Sequence, residues 1–140
     1  MLFFKSRRER ALERDLKGLM RRVTSLSAAS MLMTSHKLRD YQRALKNDTG
    51  GLSGFMALSV DGKADYMIPI ISQMNEARDQ QNEVDFIAAY LTVMLLESIS
   101  CDYHSTMNKV IGVMEYLATF PWDVLQKTIQ QETLEALFSA

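Results

Sequence analysis

The sequence predicts an all-α protein. Apolar residues recur at intervals of three and four in several segments, which is the period of an amphipathic helix. Capping residues and glycines stand where such segments would begin and end. A nearly continuous apolar segment, Phe86–Ile99, has the composition of a helix covered on most sides. We expect a bundle of four to five helices around that segment, with a long basic N-terminal helix and, as one alternative, a short β-hairpin within residues 55–68.

Charge is distributed unevenly along the chain. Residues 1–46 contain twelve Lys and Arg but four Asp and Glu, a net charge of +8, whereas residues 47–140 contain four basic and thirteen acidic residues, a net charge of −9. We therefore divide one domain into a basic N-terminal helical arm (1–46), a Gly-rich hinge (47–54) and an acidic helical body (55–140). This asymmetry fits intramolecular clasping, head-to-tail self-association, or a basic patch for nucleic acid or anionic lipid.

Composition places the chain among ordinary globular domains. It has 140 residues, of which 47% are hydrophobic and 24% charged. The single cysteine, Cys101, cannot form an internal disulfide, which fits a reducing compartment, and we expect a cytoplasmic protein. The densest apolar run, Phe86 to Leu96, is too short for a bilayer span of about 20 residues. The ten methionines suit core packing or, alternatively, an adaptable binding groove.

The basic arm has the clearest helical pattern. Ser6 is a plausible N-cap, with Glu9 completing a capping box. The apolar residues that follow are spaced by four, three, four and three, which is the a/d seam of a helix packed along another helix: Leu12, Leu16, Leu19, Val23 and Leu26. Beyond them, the small residues at 25–30 allow either a break or continuation to Lys46, and we expect continuation with at most a slight kink.

The segment after the arm permits two interpretations. Glycines at 50, 51 and 54 mark the hinge. Residues 55–60 then form either a short helix closed by Gly62 in the left-handed conformation or one strand of a hairpin around Asp61-Gly62. The next helix is expected over about 65–80, with Pro69 in its first turn.

The remaining helices follow from caps and apolar stripes. Asn82 with Asp85 opens the central helix. Ser105 or Thr106 is expected to cap the next helix, and Thr119 with Pro121 marks the start of the last one. Core faces of these two helices are predicted from their apolar residues: Val110, Ile111, Val113, Met114, Leu117 and Phe120 in the first, and Trp122, Leu125, Ile129, Leu134, Leu137 and Phe138 in the second.

The strongest catalytic candidate is the set Glu97, Cys101 and His104. On one continuous helix their spacing would place them on a single face, where they could hold a metal ion or pair a thiol with a base. Nothing beside them resembles an orienting group or an oxyanion hole, and residues 97–102 have the pattern of a helix end. The glycine motifs match neither a phosphate-binding loop nor a calcium loop. We therefore predict no catalytic residue, no metal site and no cofactor.

The predicted function is protein–protein interaction. We expect a non-enzymatic adaptor, chaperone-like or regulatory module that self-associates or binds a protein partner, with basic residues selecting an acidic surface. The predicted contact set comprises the seam and its flanking cations: Leu12, Leu16, Leu19, Val23, Leu26, Arg14, Lys17, Arg21 and Arg22. Nucleic-acid binding through the same basic helix is the alternative, and membrane contact through residues 2–8 is a further one.

Overall fold

The computed structural model describes residues 5–119 and 122–138, without the side chains of residues 122–125. It confirms the all-α class, because these residues form helices and no strand. The number of helices in the described residues is larger than the predicted four to five, because the arm forms two helices and a short helix follows it. In order, they are α1 (Arg7–Thr24), α2 (Ala28–Thr49), α3 (Leu52–Met56), α4 (Val60–Asp79), α5 (Glu83–Ser100), α6 (His104–Thr119) and α7 (Trp122–Phe138).

The expected continuous helix to Lys46 is wrong, because the arm breaks at residues 25–27. At the end of α1, the hydroxyls of Thr24 and Ser25 both donate to the carbonyl oxygen of Arg21. The Ser27 hydroxyl then accepts the backbone N–H of Ser30, at 3.1 Å, and caps α2. Short polar side chains that bind the backbone compete with helix continuation, and a serine N-cap begins a new helix.

The predicted N-cap of the arm is confirmed. The Ser6 hydroxyl oxygen accepts the backbone N–H of Glu9 at 3.0 Å. This bond satisfies one of the N–H groups that an α-helix leaves unpaired in its first turn. Helix α1 therefore begins where the sequence places it. The longest described helix is α2, with 22 residues.

Glycines form a tight corner between α2 and α3. Helix α2 extends to Thr49, into the predicted hinge, and Gly50 and Gly51 follow with φ values of 89° and 105°. Such left-handed conformations cost glycine little. A Cβ atom at Gly54 would lie 1.6 Å from the Thr49 carbonyl oxygen. The short helix α3 consequently packs against the end of α2 through a glycine backbone.

Residues 60–68 are helical, so both the hairpin and the short helix closed by Gly62 are wrong. The Ser59 hydroxyl accepts the backbone N–H of Gly62 at 3.0 Å, which places Gly62 in the first turn of α4. Pro69 consequently lies in the interior of α4 rather than in a first turn. It has no N–H to donate to the carbonyl of Asp65, and an interior proline costs a helix roughly 3 kcal/mol.

Helix α5 is the centre of the fold, as predicted. Twelve of its 18 residues are buried, and α2, α4 and α6 pack around it while α1 lies against α5 and α6. The Asn82 side chain caps it by accepting the backbone N–H of Asp85. Because α5 is apolar on nearly every side, it has to be covered by several helices.

The last two helices begin close to the predicted positions. Helix α6 starts at His104, before either expected cap, and the buried Thr106 hydroxyl donates to Glu13 of α1 rather than capping α6. Four of the predicted core residues of α6, Val110, Val113, Met114 and Leu117, are buried and Ile111 is half-buried. Phe120 and Pro121 lie outside the described residues, as do the side chains of Trp122 and Leu125.

The described part of the last helix, α7, leaves much of its predicted apolar face open. Leu134, Leu137 and Phe138 are 53%, 69% and 84% exposed. None of the helices in the described ranges is long and apolar enough to cross a bilayer.

Candidate interaction surfaces on helix α1

Three polar contacts join α1 to α5. Arg8 forms a double hydrogen bond with Glu97, at 2.6 and 2.8 Å. Arg22 forms the same arrangement with Glu83, at 2.6 and 2.7 Å. Between them, the Tyr90 hydroxyl donates to the Asp15 carboxylate at 2.6 Å. We call this row of three pairs the polar ladder.

The ladder shows that α1 and α5 pair antiparallel in a heptad register. Its members recur every seven residues on both helices, at 8, 15 and 22 on α1 and at 97, 90 and 83 on α5. The early residues of one helix meet the late residues of the other. In heptad terms Asp15 and Arg22 each directly precede a seam residue, and Arg8 lies one heptad before Asp15. This is the flanking position where coiled coils place charged pairs. The α5 partners were missed from sequence, although their sevenfold spacing was a usable signal.

Two ladder residues also contact the Phe86 ring, and the Tyr90 ring meets it edge-on with centroids 5.5 Å apart. The Arg22 guanidinium also lies 4.6 Å from the centre of the Phe86 ring, a cation–π contact. Burial raises the pKa of the Tyr90 hydroxyl, and the bond to Asp15 raises it further. Tyr90 is therefore a neutral donor to Asp15 at neutral pH. The ladder fixes how α1 sits on α5.

Glu13 holds the opposite flank of α1. Its carboxylate accepts Lys5 at 2.8 Å, Lys109 at 3.2 Å and the Thr106 hydroxyl at 3.1 Å. Burial would raise the pKa of Glu13, but these three donors outweigh it and lower the pKa to about 2. One carboxylate therefore ties the start of α1 to α6.

The seam lies inside the protein's own core. Leu12, Leu16, Leu19 and Val23 are at most 5% exposed, and Leu26 is half-buried. In this structure they pack against the same chain, so a partner could reach them only if α1 left its place. The seam thus supplies the apolar part of the α1 docking that the polar ladder orients.

The outer face of α1 carries a row of cations, which we call the basic stripe: Arg7, Arg10, Arg14, Lys17 and Arg21. The spacing of three, four, three and four puts them opposite the seam, and all five are exposed. None forms an ion pair with a described residue, in contrast to Arg8 and Arg22. Three of the four predicted partner-binding cations thus belong to the stripe, and Arg22 belongs to the ladder.

An apolar groove lies between α1 and α4, with α5 as its floor. Its volume is about 450 Å³. Val93 and Tyr90 come from α5, and the ion-paired Arg8 and Glu97 also line it. We call it the methionine groove after the α4 residues along its wall: Ala64, Met67, Ile68, Ile71 and Met74.

The catalytic candidates lie on different elements. Glu97 belongs to α5 and is bound to Arg8, Cys101 is the exposed residue after the last turn of α5, and His104 begins α6. The continuous helix that would have aligned them is absent, because Asp102 adopts a left-handed conformation, with φ 56°, between α5 and α6. Across the described ranges, no three His, Cys, Asp or Glu residues are grouped to hold a metal ion.

Comparison with known proteins gives no information on the family or the function of the chain. No protein-family model, curated protein or solved structure matches the chain.

Proposed function

We propose that the protein is a non-enzymatic, cytoplasmic interaction module whose methionine groove receives an amphipathic helix of a protein partner. The observation that carries the proposal is the apolar side of α4 that faces the groove, where Met67, Ile71 and Met74 are only partly buried and Ile68 is open to solvent. The Ile68 side chain is 60% exposed, and the groove beside it is lined mainly by apolar side chains. Helix-in-groove recognition uses such a surface.

The groove has the length of a helical binding site. Its α4 wall runs from Ala64 to Met74, eleven residues that span about 15 Å of helix. That length matches a partner stripe with apolar side chains at positions i, i+3 or i+4, and i+7. Methionine side chains adapt to differently shaped partners, which fits an adaptor or chaperone-like role. The Arg8–Glu97 pair places one positive and one negative charge at the rim of the methionine groove. These charges would orient a partner helix that carries both acidic and basic residues.

Peptide selection tests this proposal with purified components. We would select binders from a library of helical peptides and measure their affinity by fluorescence anisotropy for the wild type and for Ile68→Asp. Burying a whole isoleucine contributes about 1.5–3 kcal/mol, so covering the exposed part of Ile68 should contribute ~1–2 kcal/mol, or roughly 5- to 30-fold in affinity. The loss on Ile68→Asp should be at least that large.

Val60→Asp provides the matched control. Val60 is on the same helix and is 82% exposed, but it does not line the groove. The proposal expects unchanged affinity for this variant. If both substitutions weaken binding equally, or if the selected peptides carry no apolar stripe, the methionine groove is not the binding site.

Self-association is the second part of the proposal, and α7 supports it. Residues 131–138 are exposed, and Leu134, Leu137 and Phe138 share one side of this end of the helix. A second copy would cover that apolar surface. Sedimentation equilibrium should show a dimer or larger species that Leu137→Asp converts to monomer, and a wild type that is monomeric at all concentrations would contradict self-association.

A further inference from the structure

We propose that the basic stripe on α1 binds the phosphate backbone of a nucleic-acid duplex, without reading its sequence. This goes beyond the proposed function, because the stripe lies outside the methionine groove and does not depend on the groove's occupant. The stripe has five cations over fifteen residues of helix, and its ends at Arg7 and Arg21 are about 21 Å apart along the helix axis.

The first argument is the contrast between the two sides of α1. Cations that face the body, such as Lys5, Arg8 and Arg22, are each bound to a carboxylate. Cations of the outer face are exposed and have no ion pair with any described residue. The chain therefore neutralises its cations where they hold α1 in place and leaves a continuous positive row on the surface. Such a row attracts a polyanion at long range.

The chemistry of the row favours phosphate. Four of its five members are arginine, whose planar guanidinium binds phosphate oxygens in pairs. Gly18 lies beside the row, next to Arg14, and a Cβ atom there would meet nothing within 4 Å. Small side chains allow a phosphate backbone to approach the helix closely.

Acidic proteins, anionic membranes and single-stranded nucleic acids are the other possible anionic partners. Binding each of them requires side chains that the stripe lacks. A protein interface needs apolar or aromatic residues at its centre, and the stripe has none. A helix that binds a membrane surface inserts its apolar face, whereas Leu12, Leu16 and Leu19 of α1 are buried in the core. Without aromatic residues for stacking or Asn and Gln for base edges, the stripe is suited to a duplex backbone rather than to single strands.

Salt-dependent binding to duplex DNA tests the inference. We would measure anisotropy of a labelled duplex of about 24 base pairs between 50 and 200 mM NaCl. Five phosphate contacts give a slope of log K against log salt of about −4.5, which is a loss of roughly 500-fold over that range. The triple substitution Arg10→Gln, Arg14→Gln and Arg21→Gln should reduce the slope to about −1.8. A second duplex of different sequence should bind with the same affinity.

A second triple variant separates the stripe from net charge. Arg43→Gln, Lys46→Gln and Arg78→Gln also remove three positive charges, from exposed positions on α2 and α4. This variant should retain the wild-type slope. Circular dichroism of both triple variants should show unchanged helix content, since all six side chains are exposed. If the two variants weaken DNA binding equally, net charge rather than the stripe is responsible, and the inference fails.

Two further probes identify other polyanions. Vesicles containing phosphatidylserine and soluble polyglutamate are tested against the same proteins at 50 mM NaCl. If the protein binds vesicles but not DNA, and the stripe variant loses that binding, the stripe binds a membrane surface and the inference is overturned. The same result with polyglutamate would assign the stripe to an acidic protein and likewise overturn the inference. Absence of DNA binding at 50 mM NaCl would also overturn it, while leaving the groove proposal intact.

Discussion

Replacement of Glu13 by glutamine should destabilise the protein in a pH-dependent way. Glutamine keeps the size of the side chain but removes the charge that attracts Lys5 and Lys109. Three donors from two parts of the fold converge on this carboxylate, so its loss should weaken the attachment of α1 to α6. The variant isolates one charge from the apolar seam beside it.

The expected magnitude follows from the pKa. The pKa of Glu13 is about 2 in the folded protein and about 4.5 when unperturbed. That difference corresponds to at most ~3–4 kcal/mol of stability at neutral pH. The Lys5 and Lys109 side chains are 38% and 50% exposed, so solvent screens their attraction. We therefore expect Glu13→Gln to lower the free energy of unfolding by about 1–2 kcal/mol at pH 7.

The sign of the pH dependence follows from the depressed pKa. The carboxylate stabilises the fold fully above pH 4.5, and this contribution is lost as the pH falls from 4.5 to 2. Urea unfolding of the wild type and Glu13→Gln should therefore show a gap that closes over that range. Glu115→Gln, at an exposed position of α6, should change stability by less than about 0.5 kcal/mol. A gap at pH 7 no larger than this control, or one as large at pH 2.5 as at pH 7, would refute the reasoning.

Urea unfolding also checks three other predictions. Leu19→Ala and Leu91→Ala should each cost about 2–5 kcal/mol, because the side chains are 2% and 0% exposed; a small loss at Leu19 alone would mean that α1 is a weakly docked limb. Ser98→Ala should be neutral or stabilising by up to about 1 kcal/mol, because the Ser98 hydroxyl is buried without a hydrogen-bond partner among the described residues; a clear loss would argue that the hydroxyl is bonded. Arg22→Ala should cost about 1 kcal/mol and Arg21→Ala almost nothing, since only Arg22 has the ion pair and the ring contact; equal effects would contradict the ladder.

Local pattern was sufficient for most of the secondary structure. The Ser6 and Asn82 caps were predicted from capping residue types, the seam of α1 from intervals of three and four residues, and the burial of α5 from its nearly continuous apolar run. These features depend on contacts within a few turns of one helix. The basic stripe follows from the same periodicity, because residues opposite a seam face outward. Prediction failed where local signals competed, as at Ser27, which begins α2, and at Ser59, which caps α4 ahead of the Asp61-Gly62 pair.

The sequence by itself determined that α1 has one apolar side and one cationic side, but it left the partner of the apolar side open. Only the tertiary structure decided that the seam packs against the same chain and that Arg8 and Arg22 pair with residues 89 and 61 positions away. The methionine groove also appeared only there, because its wall, floor and rim come from three helices. Periodicity records which face of a helix avoids water, whereas the identity of the covering surface depends on the register between helices distant in sequence.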